Sequence, residues 1–100
     1  MHRLLTLLLP CAYLLAPDHH VELQRAARGA TSCPDVVAGE YVVEVVVTAP
    51  QRANARIVSS PPLSPSSRRC IELAFATQRY AWIGRAETLE HAFVLLDGGP

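Results

Sequence analysis

The cysteines are the residues of this sequence whose number and spacing most directly suggest chemistry. Cys11 lies in an apolar amino-terminal run, whereas Cys33 and Cys70 lie in the remainder of the chain. Two cysteines in a small oxidised domain are typical of a disulfide, which here would stabilise the fold by roughly 3–4 kcal/mol in the chain-entropy model. Two separate free thiols are the alternative.

The histidines and serines do not form a recognisable metal-binding or catalytic pattern. The adjacent His19 and His20 lack a second pair of ligands at the spacing of a zinc site, because the chain has no Cys-x-x-Cys motif. Nucleophilic catalysis needs a positioned Ser or Cys beside a His, but most serines fall in a proline-rich stretch, residues 59–67. His91 is the only histidine outside the amino-terminal region. We therefore expect no enzyme activity, no cofactor and no metal.

Charge and length exclude several classes of partner and of fold. Nine arginines and no lysine balance nine acidic residues, so the formal net charge is zero. A neutral chain has no long-range attraction to nucleic acid or to an anionic membrane. A chain of 100 residues forms one domain at most, and a domain of this size is marginally stable without a covalent link.

The amino-terminal segment has the composition of a secretion signal. Arg3 precedes a mostly apolar run, residues 4–16, which is too short for a transmembrane helix. We expect residues 1–16 to be a signal peptide, the protein to be secreted, and no transmembrane anchor to be present. A mitochondrial presequence is the alternative, but this run is apolar all round and Asp18 follows it.

The elements that must position any site are organised around one valine-rich stretch. Alternate residues from Tyr41 to Val47 are apolar and share one face of an extended chain, whereas Glu40 and Glu44 share the other. Valine is β-branched and favours a strand over a helix. The pair of glutamates is ordinary for a solvated strand face. This stretch therefore predicts a strand with one buried face.

Weaker patterns surround this strand. Residues 17–32 are predicted to be flexible or weakly helical, with Gly29 ending the helix. Residues 56–58 are predicted to form a short second strand. Residues 59–67 contain three prolines and five serines, and this composition predicts a loop.

The carboxyl-terminal part is predicted to complete a small β-rich domain over residues 33–97. Residues 70–77 alternate in polarity and predict another strand, although their alanines leave a helix open. Residues 78–84 predict a turn or a bent hairpin tip, and residues 85–97 show both helical and strand spacing. The expected fold class is α+β, with a small antiparallel sheet, at most one or two short helices and one disulfide.

Two short patches resemble the cystatins, which are secreted inhibitors of papain-like cysteine proteases. The family's central Gln-x-Val-x-Gly motif is similar to the segment in which Asp35 precedes Val36, Val37, Ala38 and Gly39. The family's second hairpin carries a Pro-Trp pair and is similar to residues 80–84, where alanine precedes Trp82. The long helix and strand that precede the family's central motif have no counterpart of sufficient length here.

The resemblance implies a protease inhibitor that binds with two hairpins. Residues 36–39 and Trp82 would enter the protease cleft side by side and block it without presenting a scissile bond. Gly39 would permit close backbone approach, and Trp82 would give a large apolar anchor. Residues 39–43 also resemble the first strand of subtilisin-type propeptides, which inhibit a different class of protease.

A non-enzymatic binding subunit, secreted or of envelope type, is the alternative function. The core is too small to be comfortably stable alone, and association with another protein would compensate. The valine-rich strand would then be an open edge or an interface strand. Both hypotheses expect a protein partner.

Overall fold

The computed structural model describes residues 19–96 of the chain. The predicted signal peptide and Cys11 lie outside these residues. The elements in chain order are α1 (His20–Ala30), β1 (Gly39–Ala49), β2 (Arg52–Ser59), α2 (Pro65–Ala76) and β3 (Glu87–Leu95). The three strands form one antiparallel sheet in the order β2-β1-β3. The predicted α+β fold is confirmed.

Strand β1 is the centre of the molecule. The predicted alternation is confirmed, because Tyr41, Val43 and Val45 are fully buried and Val47 is 2% exposed. Burying each valine contributes roughly 1.5–3 kcal/mol, so this face supplies much of the stability of the domain. The prediction that this strand is an open edge is wrong, because β2 and β3 pair with both of its sides. A strand with so apolar a face is buried best in the middle of the sheet.

The flanking strands are longer than their sequence patterns indicate. Strand β2 begins at Arg52, directly after a two-residue turn, whereas the sequence predicted only residues 56–58. In the ambiguous segment, residues 87–95 form strand β3, so the strand spacing and not the helical spacing holds there. Leu89 and Phe93 of β3 stand opposite Val45 and Tyr41 of β1 and add to the buried face.

The strand predicted for residues 70–77 is wrong, because these residues belong mostly to helix α2. The side chain of Ser64 accepts a hydrogen bond from the backbone N–H of Ser67, and Pro65 occupies the first turn. Both are standard signals of a helix start, and they place the last residues of the predicted loop inside the helix. Ile71 and Phe75 are fully buried one helical turn apart.

Helix α1 and the disulfide complete the core. The buried residues of α1 are Leu23, Ala26 and Ala30, so in the described part of residues 17–32 the helical alternative holds, and the helix ends one residue after the predicted Gly29. The predicted disulfide between Cys33 and Cys70 is confirmed and joins the end of α1 to α2. Residues 78–84 connect α2 to β3 and are not a hairpin tip.

Candidate functional site

The first predicted inhibitory patch, residues 36–39, leads into β1 and is not the tip of a hairpin. Val36 packs against the core, Val37 is 39% exposed and Ala38 is exposed. The hydroxyl of Tyr41 donates a hydrogen bond to the carbonyl of Val37 over 2.6 Å. This bond anchors the patch to the core of the same chain.

Gly39 is needed for packing within the chain itself. Its φ angle is +145°, and a Cβ atom at this position would lie 2.6 Å from Cγ of Pro61. The space that a side chain would occupy is therefore filled by the loop before α2. The sequence was interpreted as needing a glycine here so that a protease can approach closely. The packing of Pro61 against Gly39 is an alternative reason for the glycine within the chain itself.

The second predicted patch, Trp82, lies in the connection between α2 and β3, where it is half-buried against the core. Gly39 pairs with Leu95 at the end of β3, whereas Val47 pairs with Glu87 at its start. Those two pairs are separated by eight residues of β1, or about 26 Å at 3.3 Å per residue. The structure does not bring Trp82 and residues 36–39 side by side, as the two-hairpin wedge requires. A relationship to the cystatins stays a prediction.

A buried cluster that the sequence did not predict joins α1 to the start of β3. The side chain of His19 is 5% exposed, and its Nδ1 and Nε2 atoms lie 2.5 Å from Glu22 and 2.9 Å from Glu87. The second carboxylate oxygen of Glu22 accepts the backbone N–H of Ala81 over 2.8 Å. Only the three-residue spacing of His19 and Glu22 at the start of a helix could have signalled this cluster.

The electrostatics of this cluster favour a protonated histidine. Burial by itself lowers the pKa of His19, but the hydrogen bonds and charges of Glu22 and Glu87 outweigh it and raise the pKa above 6.5. Both ring nitrogens are engaged by carboxylates, so the imidazole is not available as a base to an external group. The cluster therefore ties elements together and is not a catalytic pair.

We expect the stability of the domain to fall as the pH rises above 6.5, because His19 has a higher pKa folded than unfolded. The contribution of His19 to the free energy of unfolding is complete at pH values below its unfolded pKa. It is lost as the pH rises through the higher pKa of the folded state. The measurement is the urea midpoint of the oxidised chain at a series of pH values in this range. His19→Gln should remove the dependence, and an unchanged slope in that variant would contradict the assignment.

The remaining histidine of the sheet belongs to an aromatic cluster. The ring of His91 stacks on Phe93 at 5.8 Å and lies 6.3 Å from Phe75. Burial and the nearby charge of His20 lower the pKa of His91. His91 therefore packs as a neutral ring among His20, Phe75 and Phe93.

The two edges of the sheet differ in their protection. On the β2 edge, the backbone N–H of Ile57 donates to the carboxylate of Glu72 in α2 over 2.9 Å. Arg68, one turn earlier in the helix, lies 3.8 Å from the same carboxylate. A side chain that accepts a hydrogen bond from an outward-facing backbone N–H prevents another strand from pairing there. The β2 edge is therefore closed in part by α2.

Strand β3 forms the other edge, and no further strand pairs with it among the described residues. Because Ile57 points its N–H away from β1, its partner Val43 directs its own backbone groups toward β3. Backbone N–H and C=O groups of successive residues in β3 point alternately toward β1 and away from it. They therefore face outward at four positions, Thr88, Glu90, Ala92 and Val94. These groups form an unprotected hydrogen-bonding edge.

A groove follows this edge. It has a volume of about 380 Å³ and lies between α1 and the second half of β3. Gln24, Ala27 and Arg28 line it from the helix, and Ala92 and Val94 line it from the strand. The guanidinium of Arg28 is exposed, and no acidic residue lines the groove.

The sheet face opposite the helices is solvated and carries a mixture of residues. Glu44 forms a salt bridge of 3.1 Å with Arg56 across β1 and β2. Nearer the end of β3 the face is more apolar, because Val42 stands opposite Ala92 and Val94 is 58% exposed. The apolar part of this face therefore borders the unprotected edge of β3.

Comparisons with known proteins do not assign this fold and these surfaces to a family. No protein-family model matches the chain, and no significant match was found among curated proteins or solved structures. Between residues 19 and 96, neither helix has the length and apolar character needed to cross a membrane.

Proposed function

We propose that this protein is a non-enzymatic binding domain that captures an extended segment of a partner protein along the free edge of β3. The observation that supports this most is the difference between the two sheet edges. Glu72 accepts a hydrogen bond from an outward-facing backbone N–H of β2. The outward-facing backbone N–H and C=O groups of β3 have no such partner among residues 19–96. An exposed edge of this kind is a template for an added strand.

The surroundings of β3 define the chemistry of the segment it would take. Backbone hydrogen bonds to Ala92 and Val94 would supply affinity with little dependence on sequence. Side chains of the added strand point alternately to the two faces of the sheet. Those on the open face would meet the apolar surface of Ala92 and Val94, and those on the other face would meet α1. The exposed Arg28 favours an acidic residue on that second side.

Ala92→Pro is expected to weaken capture strongly while leaving the domain folded. Proline removes the outward N–H of Ala92 but not a bond to β1, and proline is tolerated on edge strands in this orientation. The measurement is binding of peptides selected from a random library on the oxidised chain, compared between wild type and variant. We expect the peptide affinity to fall at least about tenfold. The variant loses about one neutral hydrogen bond, and the proline ring also sterically hinders the added strand from pairing in register.

The matched control is Ala55→Pro on the β2 edge. The N–H of Ala55 also faces outward, because Ala55 lies two residues from Ile57 on the same strand. This variant should bind the selected peptides like the wild type. Failure of the library to yield any binder, or equal losses in the two variants, would contradict strand capture at β3.

Inhibition of a papain-like protease stays a prediction from the resemblance and has its own test. Residual papain activity is followed as the oxidised chain is added, with Trp82→Ala as the variant. Inhibition that depends on Trp82 would favour the cystatin-type function over strand capture. Secretion of the protein likewise stays a prediction from residues 1–16.

A further inference from the structure

A second concave surface lies at the hairpin end of the sheet, and no residue of β3 lines it. It is a pocket of about 350 Å³ between the β1–β2 turn and the carboxyl-terminal end of α2. Ala49, Ala53 and Ala76 line it from three different elements, and their short side chains leave the space unfilled. The volume falls at the lower end of the range for small-molecule sites.

The charges around this pocket are of one sign. Arg52 and Arg79 both line it, and no acidic residue does. Neither guanidinium makes an ion pair or a hydrogen bond with the described part of the chain, where the arginine ion pairs involve Arg56 and Arg68. Two uncompensated cations at one concave surface repel each other, and an anion placed between them would remove this repulsion.

Apolar side chains form part of the pocket wall. Val47 contributes a buried aliphatic side chain, and Tyr80 is 5% exposed. The hydroxyl of Tyr80 donates to the carbonyl of Phe75 over 2.8 Å, so this hydroxyl is already satisfied within the core. A ligand in this pocket therefore meets two exposed arginines and a wall that is apolar in part.

We propose that the pocket binds a small carboxylate that carries a short apolar group, with the carboxylate held between Arg52 and Arg79. The planar guanidinium group matches a carboxylate with two parallel hydrogen bonds. The alanines and Val47 accommodate a short branched alkyl group. A free organic acid and the terminal carboxylate of a peptide share this chemistry.

The test is a titration of the oxidised full chain, followed by the backbone amide signals of Ala53 and Thr77 in nuclear magnetic resonance spectra. The probes are isobutyrate, which represents a free acid, N-acetylvaline, which represents a peptide terminus, and the amides of both. We expect saturable shifts with at least one acid and none with the amides. Tighter binding of N-acetylvaline would identify a peptide terminus, and tighter binding of isobutyrate a free acid.

Three variants separate the contributions of charge and space. Arg52→Gln/Arg79→Gln should weaken binding at least about tenfold, because each lost ionic hydrogen bond is worth about that factor. Ala76→Leu should fill the pocket and weaken binding with both arginines present. Arg25→Gln removes an exposed arginine of α1 that does not line the pocket, and it should have no effect.

Several outcomes would overturn the proposal. Equal affinity for inorganic phosphate would mean that only charge is recognised and that the apolar part of the wall contributes nothing. Unchanged binding in Arg52→Gln/Arg79→Gln would contradict the proposal. So would the absence of saturable shifts with both acids at about 50 mM, because binding that weak corresponds to less than about 2 kcal/mol of free energy.

Discussion

Reduction of the Cys33–Cys70 disulfide is expected to lower the free energy of unfolding by about 3–4 kcal/mol. The bond closes a loop between residues that are 37 positions apart, so the unfolded chain gains much conformational freedom when the bond is broken. A small domain has only about 5–15 kcal/mol of total stability, and less at this length. The reduced domain should therefore unfold at a markedly lower urea concentration.

The measurement compares urea unfolding of the oxidised chain with and without a thiol reductant. The matched control is Cys33→Ala/Cys70→Ala, which should be as unstable as the reduced wild type and should not respond to the reductant. A wild type that unfolds at the same urea concentration in both conditions would show that this covalent link does not stabilise the domain in solution.

Phe75→Ala is expected to cost about 3–5 kcal/mol, the typical effect of removing a large aromatic side chain from a core. Phe75 is fully buried, and its ring lies 5.3 Å from that of Phe93 in β3. It therefore joins α2 to β3, and its loss leaves a cavity between two elements that have no direct backbone bonds. The expected readout is a lower urea midpoint with an unchanged slope.

Leu73→Ala is the matched control, because Leu73 lies on the same helix but is 51% exposed. It should change the free energy of unfolding by no more than about 0.5 kcal/mol. Equal losses in the two variants would mean that α2 does not pack with the face that the structure shows. Each variant is measured alone and with the disulfide intact. The loss of the Phe75 side chain and the loss of the disulfide together would exceed the stability of so small a domain.

The two proposed sites lie in different parts of the same sheet. Strand capture uses the backbone of β3 beside α1, whereas the carboxylate pocket uses side chains at the β1–β2 turn and the end of α2. Ala92→Pro and Arg52→Gln/Arg79→Gln should therefore each weaken one kind of binding and leave the other intact. The cluster of His19 lies at the start of β3, so the stability of this edge is expected to depend on pH.

The sequence by itself determined the central strand and the α+β class, and it favoured a disulfide over two free thiols. Strand periodicity in β1 is an unusually strong local signal, because β-branched residues fill one face and polar residues interrupt the other. The disulfide followed from the number of cysteines that remain after the apolar amino-terminal run. Both signals are contained within short stretches of chain or in composition, so they do not depend on distant contacts.

The tertiary structure decided that residues 70–76 are helical, although Ser64 and Pro65 carry local signals for the start of α2. It alone decided the position of β1 in the sheet and the locations of the His19 cluster and of the two concave surfaces. Residues 70–76 alternate in polarity like a strand, which would bury Ile71, Leu73 and Phe75 on one face. The structure buries Ile71 and Phe75 but leaves Leu73 51% exposed, which is the spacing of a helix. The pairing of β1 with β3, the hydrogen bond from Ile57 to Glu72 and the contact between His19 and Glu87 join residues that are 15 to 68 positions apart in sequence. Such contacts depend on register and packing between elements, and no local pattern encodes them.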